Sequence, residues 1–264
     1  MLNFTGEIAS RWREFSPGPI QGIQLPDRGT SLKMLRLDLI RSWASGNKYF
    51  KLKYVLQEAL SSGIQAIVSK GGMFSNHLAA LSEACIDFNI HLVAVIRSHV
   101  PDEMNPAIQR LRAHGHEIIY LSPSDYKSFD LEASSRLFPG SLFIPEGGLS
   151  ESGIRGTSEI MQDCVACNPT HVVVAGGTMG TACGIVAAAP AQVKVIIVPA
   201  WKGCTHSYFS GILNTFGVDP ACTWDIWPDY HFGGFGRFNQ QLIDFMIQFT
   251  RNTGIPLDPV YTGK

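Results

Sequence analysis

The apolar residues of this chain fall in short dense runs, separated by segments in which they recur every three or four positions. Six runs predict strands: "GIQAIVSKGG" (63–72), "IHLVAVIRS" (90–98), "HEIIYLSP" (116–123), "SLFIPEGG" (141–148), "THVVVAGG" (170–177) and "QVKVIIVPA" (192–200). The last two lack polar alternation, as strands buried on both faces do. Helical spacing marks "SNHLAALSEACIDF", "NPAIQRLRAHG" and "GIRGTSEIMQDCVA", and "NQQLIDFMIQFT" reads as an ordinary core-facing helix. Strands alternating with helices build βαβ units and a parallel sheet. The predicted fold class is therefore α/β, with two domains of mostly parallel, twisted sheet flanked by helices. The expected division is a larger domain from residues 1–50 and 143–264 and a smaller one from 51–142.

A further helix, "SGNKYFKLKYVLQEAL" (45–60), carries an unusual pattern. At about 100° per residue, Leu52, Val55, Leu56 and Ala59 form one apolar stripe, while Phe50, Lys53 and Gln57 point elsewhere. Lys48 and Lys51 fall within the stripe. A lysine taken out of water loses the hydration that favours its charged form, so its amine becomes nucleophilic near neutral pH. Schiff-base chemistry needs such an amine. The alternative is that both lysines sit in the first turn and snorkel past the stripe to water.

Composition narrows the partners. The 264 residues are 45% hydrophobic and 16% charged, with a formal net charge of -1 and a pI near 6.7. Nothing in that balance attracts nucleic acid or an anionic membrane, and a small neutral or zwitterionic ligand fits better. The run from Cys164 to Val193 is uncharged but broken by Gly, Pro and Thr, so it does not read as a membrane span. Met1 to Phe15 lacks a basic stretch followed by an apolar one, and we expect a cytoplasmic protein. Six scattered cysteines read as reduced thiols. "CVACNPTH" has no second ligand pair and is not taken as a metal site, and "HGHE" (114–117) reads as surface.

In open α/β sheets ligands bind beyond the carboxyl ends of the strands. Those ends carry "SKGGMFSNH", "IPEGG", "VAGGTMGT" and "VPAWKGCTH". "AGGTMGTACGI" follows a strand and opens a helix, so its backbone N–H groups and the hydroxyls of Thr178 and Thr181 suit a phosphate. A tight packing turn explains the glycines equally well. In "GGMFSNHLAA", Ser75 or Asn76 reads as a helix N-cap, or the turn as a carboxylate cradle.

Taken in order, "SGNKYFKLKYVLQEAL", "SKGGMFSNH", "IPEGG", "AGGTMGTACGI" and "GIPLDPVYTGK" resemble the 1-aminocyclopropane-1-carboxylate deaminase and D-cysteine desulfhydrase family. The resemblance runs from about Pro19 to Lys264. It implies pyridoxal 5'-phosphate as cofactor and the tryptophan synthase β-chain fold type, with a small amino acid as substrate and a homodimer as assembly. By the same resemblance Lys48 is the Schiff-base residue and proton-transfer base, and Lys51 reaches the cofactor phosphate. Asn76 meets the ring hydroxyl, while Ser75 and His77 face the substrate carboxylate. Gly177, Thr178, Met179, Gly180 and Thr181 hold the phosphate. Tyr261 lines the substrate pocket, and Thr262 meets the pyridine nitrogen.

Two departures bear on the substrate. Ring-opening members of the family typically have Glu where this chain has Thr262, and a carboxylate there keeps the ring nitrogen protonated. They also carry a tyrosine where this chain has Phe235, in "GGFGRF". Both favour loss of a β-leaving group from D-cysteine or a similar amino acid over ring opening of 1-aminocyclopropane-1-carboxylate. Two other readings stand beside these: a cofactor-binding protein without turnover, and a Rossmann-like enzyme using "AGGTMGT" for a nucleotide.

Overall fold

The computed structural model describes residues 18–24, 32–40, 44 and 46–264. The expectation drawn from Met1 to Phe15 lies outside them. In chain order the strands are β1 (Ile20–Ile23), β2 (Leu32–Leu35), β3 (Ala66–Gly71), β4 (His91–Arg97), β5 (Glu117–Leu121), β6 (Leu142–Ile144), β7 (His171–Gly176), β8 (Lys194–Pro199) and β9 (Thr223–Ile226). The α-helices are α1 (Asn47–Ser61), α2 (Asn76–Asp87), α3 (Pro106–Ala113), α4 (Pro123–Ser128), α5 (Leu131–Leu137), α6 (Glu151–Ser158), α7 (Ile160–Val165), α8 (Gly180–Ala188), α9 (His206–Thr215) and α10 (Gln240–Thr253).

The described residues fall into two compact units, one made of Gly18 and Arg36–Gly156, the other of Pro19–Leu35 and Thr157–Lys264. In the first, four strands lie in the order β5-β4-β3-β6, and every pairing is parallel. Ile67, Val68, Leu92, Val93 and Val95 are at most 2% exposed. Burying each such side chain contributes about 1.5–3 kcal/mol, so this sheet is a rigid base for the loops at its carboxyl ends. In the second unit the parallel sheet runs β7-β8-β9, and β1 and β2 form a separate antiparallel pair. The fold is α/β, as the alternation of runs and helical segments predicts.

The unit boundaries differ from those read in the sequence. The Lys48 turn and residues 143–156 belong with the first unit. The cause is strand pairing and close packing: β6 joins β3 through Ile67↔Leu142, Val68↔Phe143 and Ser69↔Ile144, and Gly156 in α6 abuts the Phe50 carbonyl with no room for a Cβ. Phe50 itself is 1% exposed, so α1 is buried over a wider arc than its stripe indicates. The α10 segment departs in the other direction. Its one buried residue is Leu242, and Phe245 and Ile247 are about half exposed. His116, expected at the surface, is buried, and its Nε2 donates to the Ser82 carbonyl at 3.2 Å.

Candidate functional site

In the first unit the candidate residues cluster where β3 and β6 end. Glycines 71 and 72 turn the chain into α2, and a Cβ on Gly71 would sit 2.6 Å from Ser75 Oγ, so only glycine fits there. Ser75 caps α2 by accepting from the Leu78 N–H at 3.3 Å. Asn76 opens the helix on its exposed side, and His77 is buried at 2% exposure. Lys51, on α1, is 3% exposed and donates through Nζ to the Gly147 carbonyl at 2.9 Å. It therefore does not snorkel to water. Lys48, one turn earlier, is half-buried.

His77 has a defined protonation state. Ser69 Oγ donates its single proton to the Ile144 carbonyl at 2.8 Å. The 2.9 Å contact between Ser69 Oγ and His77 Nε2 must then be donated by the imidazole. Burial pushes the ring's pKa well below the ordinary histidine value, and the positive charges of Lys48 and Lys51 add to the effect. The imidazole is neutral with its proton on Nε2.

In the second unit the candidates gather at the carboxyl end of β7. Met179 takes a left-handed conformation, φ 66°, immediately before α8, and its side chain is fully buried. Such a conformation in a non-glycine residue costs about 1–3 kcal/mol and persists only where the surrounding structure enforces it. The loop is braced on both sides: Trp201 Nε1 donates to the Gly177 carbonyl at 3.0 Å, and Thr157 Oγ1 donates to the Gly180 carbonyl at 3.0 Å. Thr178 lies half-buried in the turn and Thr181 is 8% exposed in the first turn of α8. Backbone N–H groups at this helix start, with the helix dipole behind them, suit a phosphate dianion.

The carboxy-terminal tail closes over the same loop. A Cβ on Gly177 would lie 2.7 Å from Tyr261 Cε1, and Phe235 meets Tyr261 edge to face, with centroids 5.8 Å apart and planes at 70°. Thr262 is exposed and accepts from the Asp258 N–H at 2.8 Å, so its hydroxyl proton remains to be donated. Lys264 Nζ donates to the His231 carbonyl at 2.9 Å and the Gly234 carbonyl at 2.8 Å, fixing the turn that carries Phe235.

The structure thus brings Lys48, Lys51, Ser75, Asn76 and His77 into one unit, and Phe235, Tyr261, Thr262 and the loop from Gly177 to Thr181 into the other. Sequence reasoning missed Ser69, Thr157, Trp201 and Lys264, which act through hydrogen bonds to backbone or to another side chain. Ser69 and Trp201 carried a signal, since they stand in "SKGGMFSNH" and "VPAWKGCTH", segments placed at strand ends. No group of three or more His, Cys, Asp or Glu able to hold a metal occurs among the described residues. None of the described helices is long and apolar enough to cross a membrane. A shallow hollow of about 360 Å³ lined by His91, His114 and His116 lies at the amino ends of β4 and β5, away from these residues.

Within each unit the groups present suit pyridoxal phosphate: in the first, the buried Lys51 and the half-buried Lys48, and in the second, a braced turn at a helix start and a hydroxyl with a proton to donate. Comparison with known proteins agrees. Residues 29–264 match the model of the pyridoxal-phosphate dependent enzyme family. A mitochondrial bifunctional D-cysteine desulfhydrase/1-aminocyclopropane-1-carboxylate deaminase of Arabidopsis thaliana is 27% identical over 278 residues, covering 94% of this chain and 69% of that protein. A D-cysteine desulfhydrase of Klebsiella pneumoniae is 24% identical, covering 94% and 84%. Among solved structures, a homologue of 1-aminocyclopropane-1-carboxylate deaminase superposes with a TM-score of 0.79 at 23% identity, over 97% of this chain and 86% of the other. With that model matching residues 29–264, this chain belongs to the pyridoxal-phosphate dependent enzyme family.

Proposed function

We propose that the protein is a pyridoxal-phosphate-dependent lyase that removes sulfide from D-cysteine, or a similar β-leaving group from a small amino acid. One molecule each of D-cysteine and water would give pyruvate, ammonia and hydrogen sulfide. The bound cofactor supplies an aldehyde that ties down the substrate amine and a ring that withdraws electrons from its α-carbon. Lys48 holds that aldehyde in the resting enzyme and takes the α-proton on its amine. Lys51 and the Gly177–Thr181 loop bind the phosphate, Asn76 meets the ring hydroxyl, and Thr262 donates to the ring nitrogen. Ser75 faces the substrate.

The observation that carries this choice of substrate is the ring contact between Phe235 and Tyr261. The pocket wall beside Tyr261 is a phenylalanine, without a second hydroxyl to protonate or attack a strained ring. The hydroxyl of Thr262 points the same way, because a neutral partner leaves the ring nitrogen unprotonated and the electron sink just strong enough for β-elimination. A cytoplasmic setting and a homodimer belong to the same proposal.

The test is a keto-acid assay of the reconstituted enzyme. D-cysteine should yield pyruvate and sulfide in equal amounts, with 1-aminocyclopropane-1-carboxylate yielding little 2-oxobutanoate. Faster release of 2-oxobutanoate would overturn the substrate choice in favour of ring opening, the other activity named for the Arabidopsis relative. No keto acid from either would leave a cofactor-binding protein without this activity.

A further inference from the structure

His77 leaves one polar atom unaccounted for. Its Nδ1 is buried and has no hydrogen-bond partner among the described residues. With the ring proton held on Nε2 by the Ser69–Ile144 contact, Nδ1 presents a bare lone pair. Leaving such an acceptor buried and unmatched costs free energy, so an orphan of this kind calls for a partner. The space beside it is kept open by Gly148, whose φ of +68° favours glycine. A Cβ there would lie 3.6 Å from Nδ1 and 3.6 Å from Lys51 Cβ. The neighbouring charges are those of Lys48 and Lys51, both cations.

A bare lone pair repels a carboxylate and receives an N–H. We propose that His77 Nδ1 is a built acceptor for a protonated primary amine, and that Ser69 is the positioning residue which fixes the tautomer. This rests on the lyase reading and alters the substrate contact expected of His77: the imidazole meets an amine, not the carboxylate. The amine has two sources, the substrate ammonium as it arrives, before it joins the cofactor, and the Lys48 ammonium once Lys48 has taken the α-proton. Either way the imidazole orients an amine at the reacting end of the substrate, and Ser69 acts only through His77.

The test uses protein carrying ¹⁵N-labelled histidine, with the His77 signals identified by their loss in His77→Gln. Without cofactor or substrate, Nε2 should carry the proton and Nδ1 none, down to about pH 6, where an ordinary histidine is largely charged. Ser69→Ala should abolish that single tautomer. In the cofactor-loaded protein, D-alanine should shift the Nδ1 signal and propionate, which has a carboxylate but no amine, should not. Persistence of the shift in Lys48→Met assigns the donor to the substrate amine, and its loss assigns the donor to Lys48. An Nδ1-protonated ring, an equal response to propionate, or no response to either compound overturns the proposal. In turnover, His77→Gln keeps a donor toward Ser69 but offers no acceptor at Nδ1, and kcat/KM should fall roughly tenfold or more; an unchanged value contradicts it. A protein that makes no keto acid yet shows the amine-specific shift refutes the lyase reading alone.

Discussion

In the first unit the most enclosed candidate groups are side chains sunk in the protein, Lys51 at 3% and His77 at 2% exposure, with Lys48 half-buried beside them. In the second they are backbone N–H groups, hydroxyls and an aromatic pair, with Thr262 exposed and Phe235 54% exposed. In the first arrangement burial holds the His77 imidazole neutral, which suits a site where an amine exchanges protons. The second uses a strained, braced turn to aim dipoles, which suits a fixed phosphate and a substrate that comes and goes. Substitutions should therefore act differently in the two units, by changing pH behaviour in the first and geometry in the second.

The largest effect that separates them is expected at Gly177→Ala. The added Cβ meets Tyr261 Cε1 at 2.7 Å, so either the loop or the tyrosine moves. We expect a loss of about 1–3 kcal/mol of stability, seen in urea unfolding, together with a raised KM. Normal kinetics would show that the Tyr261 contact does not matter to the pocket. Trp201→Phe is milder, because it removes the indole donor to the Gly177 carbonyl and keeps most of the ring. Stability should drop by about 1 kcal/mol, and pyridoxal phosphate should dissociate faster, measured by dialysis and absorbance.

The smallest effect belongs to the first unit and appears only in a pH series. The folded-state pKa of His77 lies well below the ordinary histidine value of 6.5, so below that pH the unfolded chain binds a proton that the folded one does not. Its contribution to stability is whole above about pH 6.5 and is lost as the pH falls toward the depressed value. His116 is shifted in the same direction, chiefly by burial. Urea unfolding of the wild type should therefore weaken with acid more steeply than that of His77→Gln. Parallel pH profiles would mean that His77 is not held neutral in the folded protein.

Much of this was legible in the sequence because the chemistry there is written in residue type and period. Lys48 and Lys51 stand out as charges on an apolar stripe, and the turn at Gly177 stands out as glycines between a β-branched run and a helix. The fold class followed from the same runs. What escaped is what depends on a partner distant in the chain. Ser69 is one polar residue in a buried strand until β6 pairs beside it and supplies the Ile144 carbonyl. Trp201 and Thr157 act on carbonyls 24 and 23 residues away, and no local period marks such contacts. The unit boundaries moved for a like reason, since strand pairing rather than composition places β6 with β3. In α10 the helical period was plain, but period alone does not say whether an apolar face is covered, and Phe245 and Ile247 stay half exposed.

The account turns on Lys48 as the residue that takes the cofactor. The direct measurement is borohydride reduction of the pyridoxal-phosphate-loaded protein, followed by peptide mass mapping, on the wild type and on Lys48→Ala. The account predicts one reduced adduct, on Lys48, absent from Lys48→Ala, whose turnover should fall by at least about a thousandfold. An adduct on Lys51 or Lys264, or a Lys48→Ala protein that is labelled elsewhere and still turns over at the wild-type rate, would contradict it.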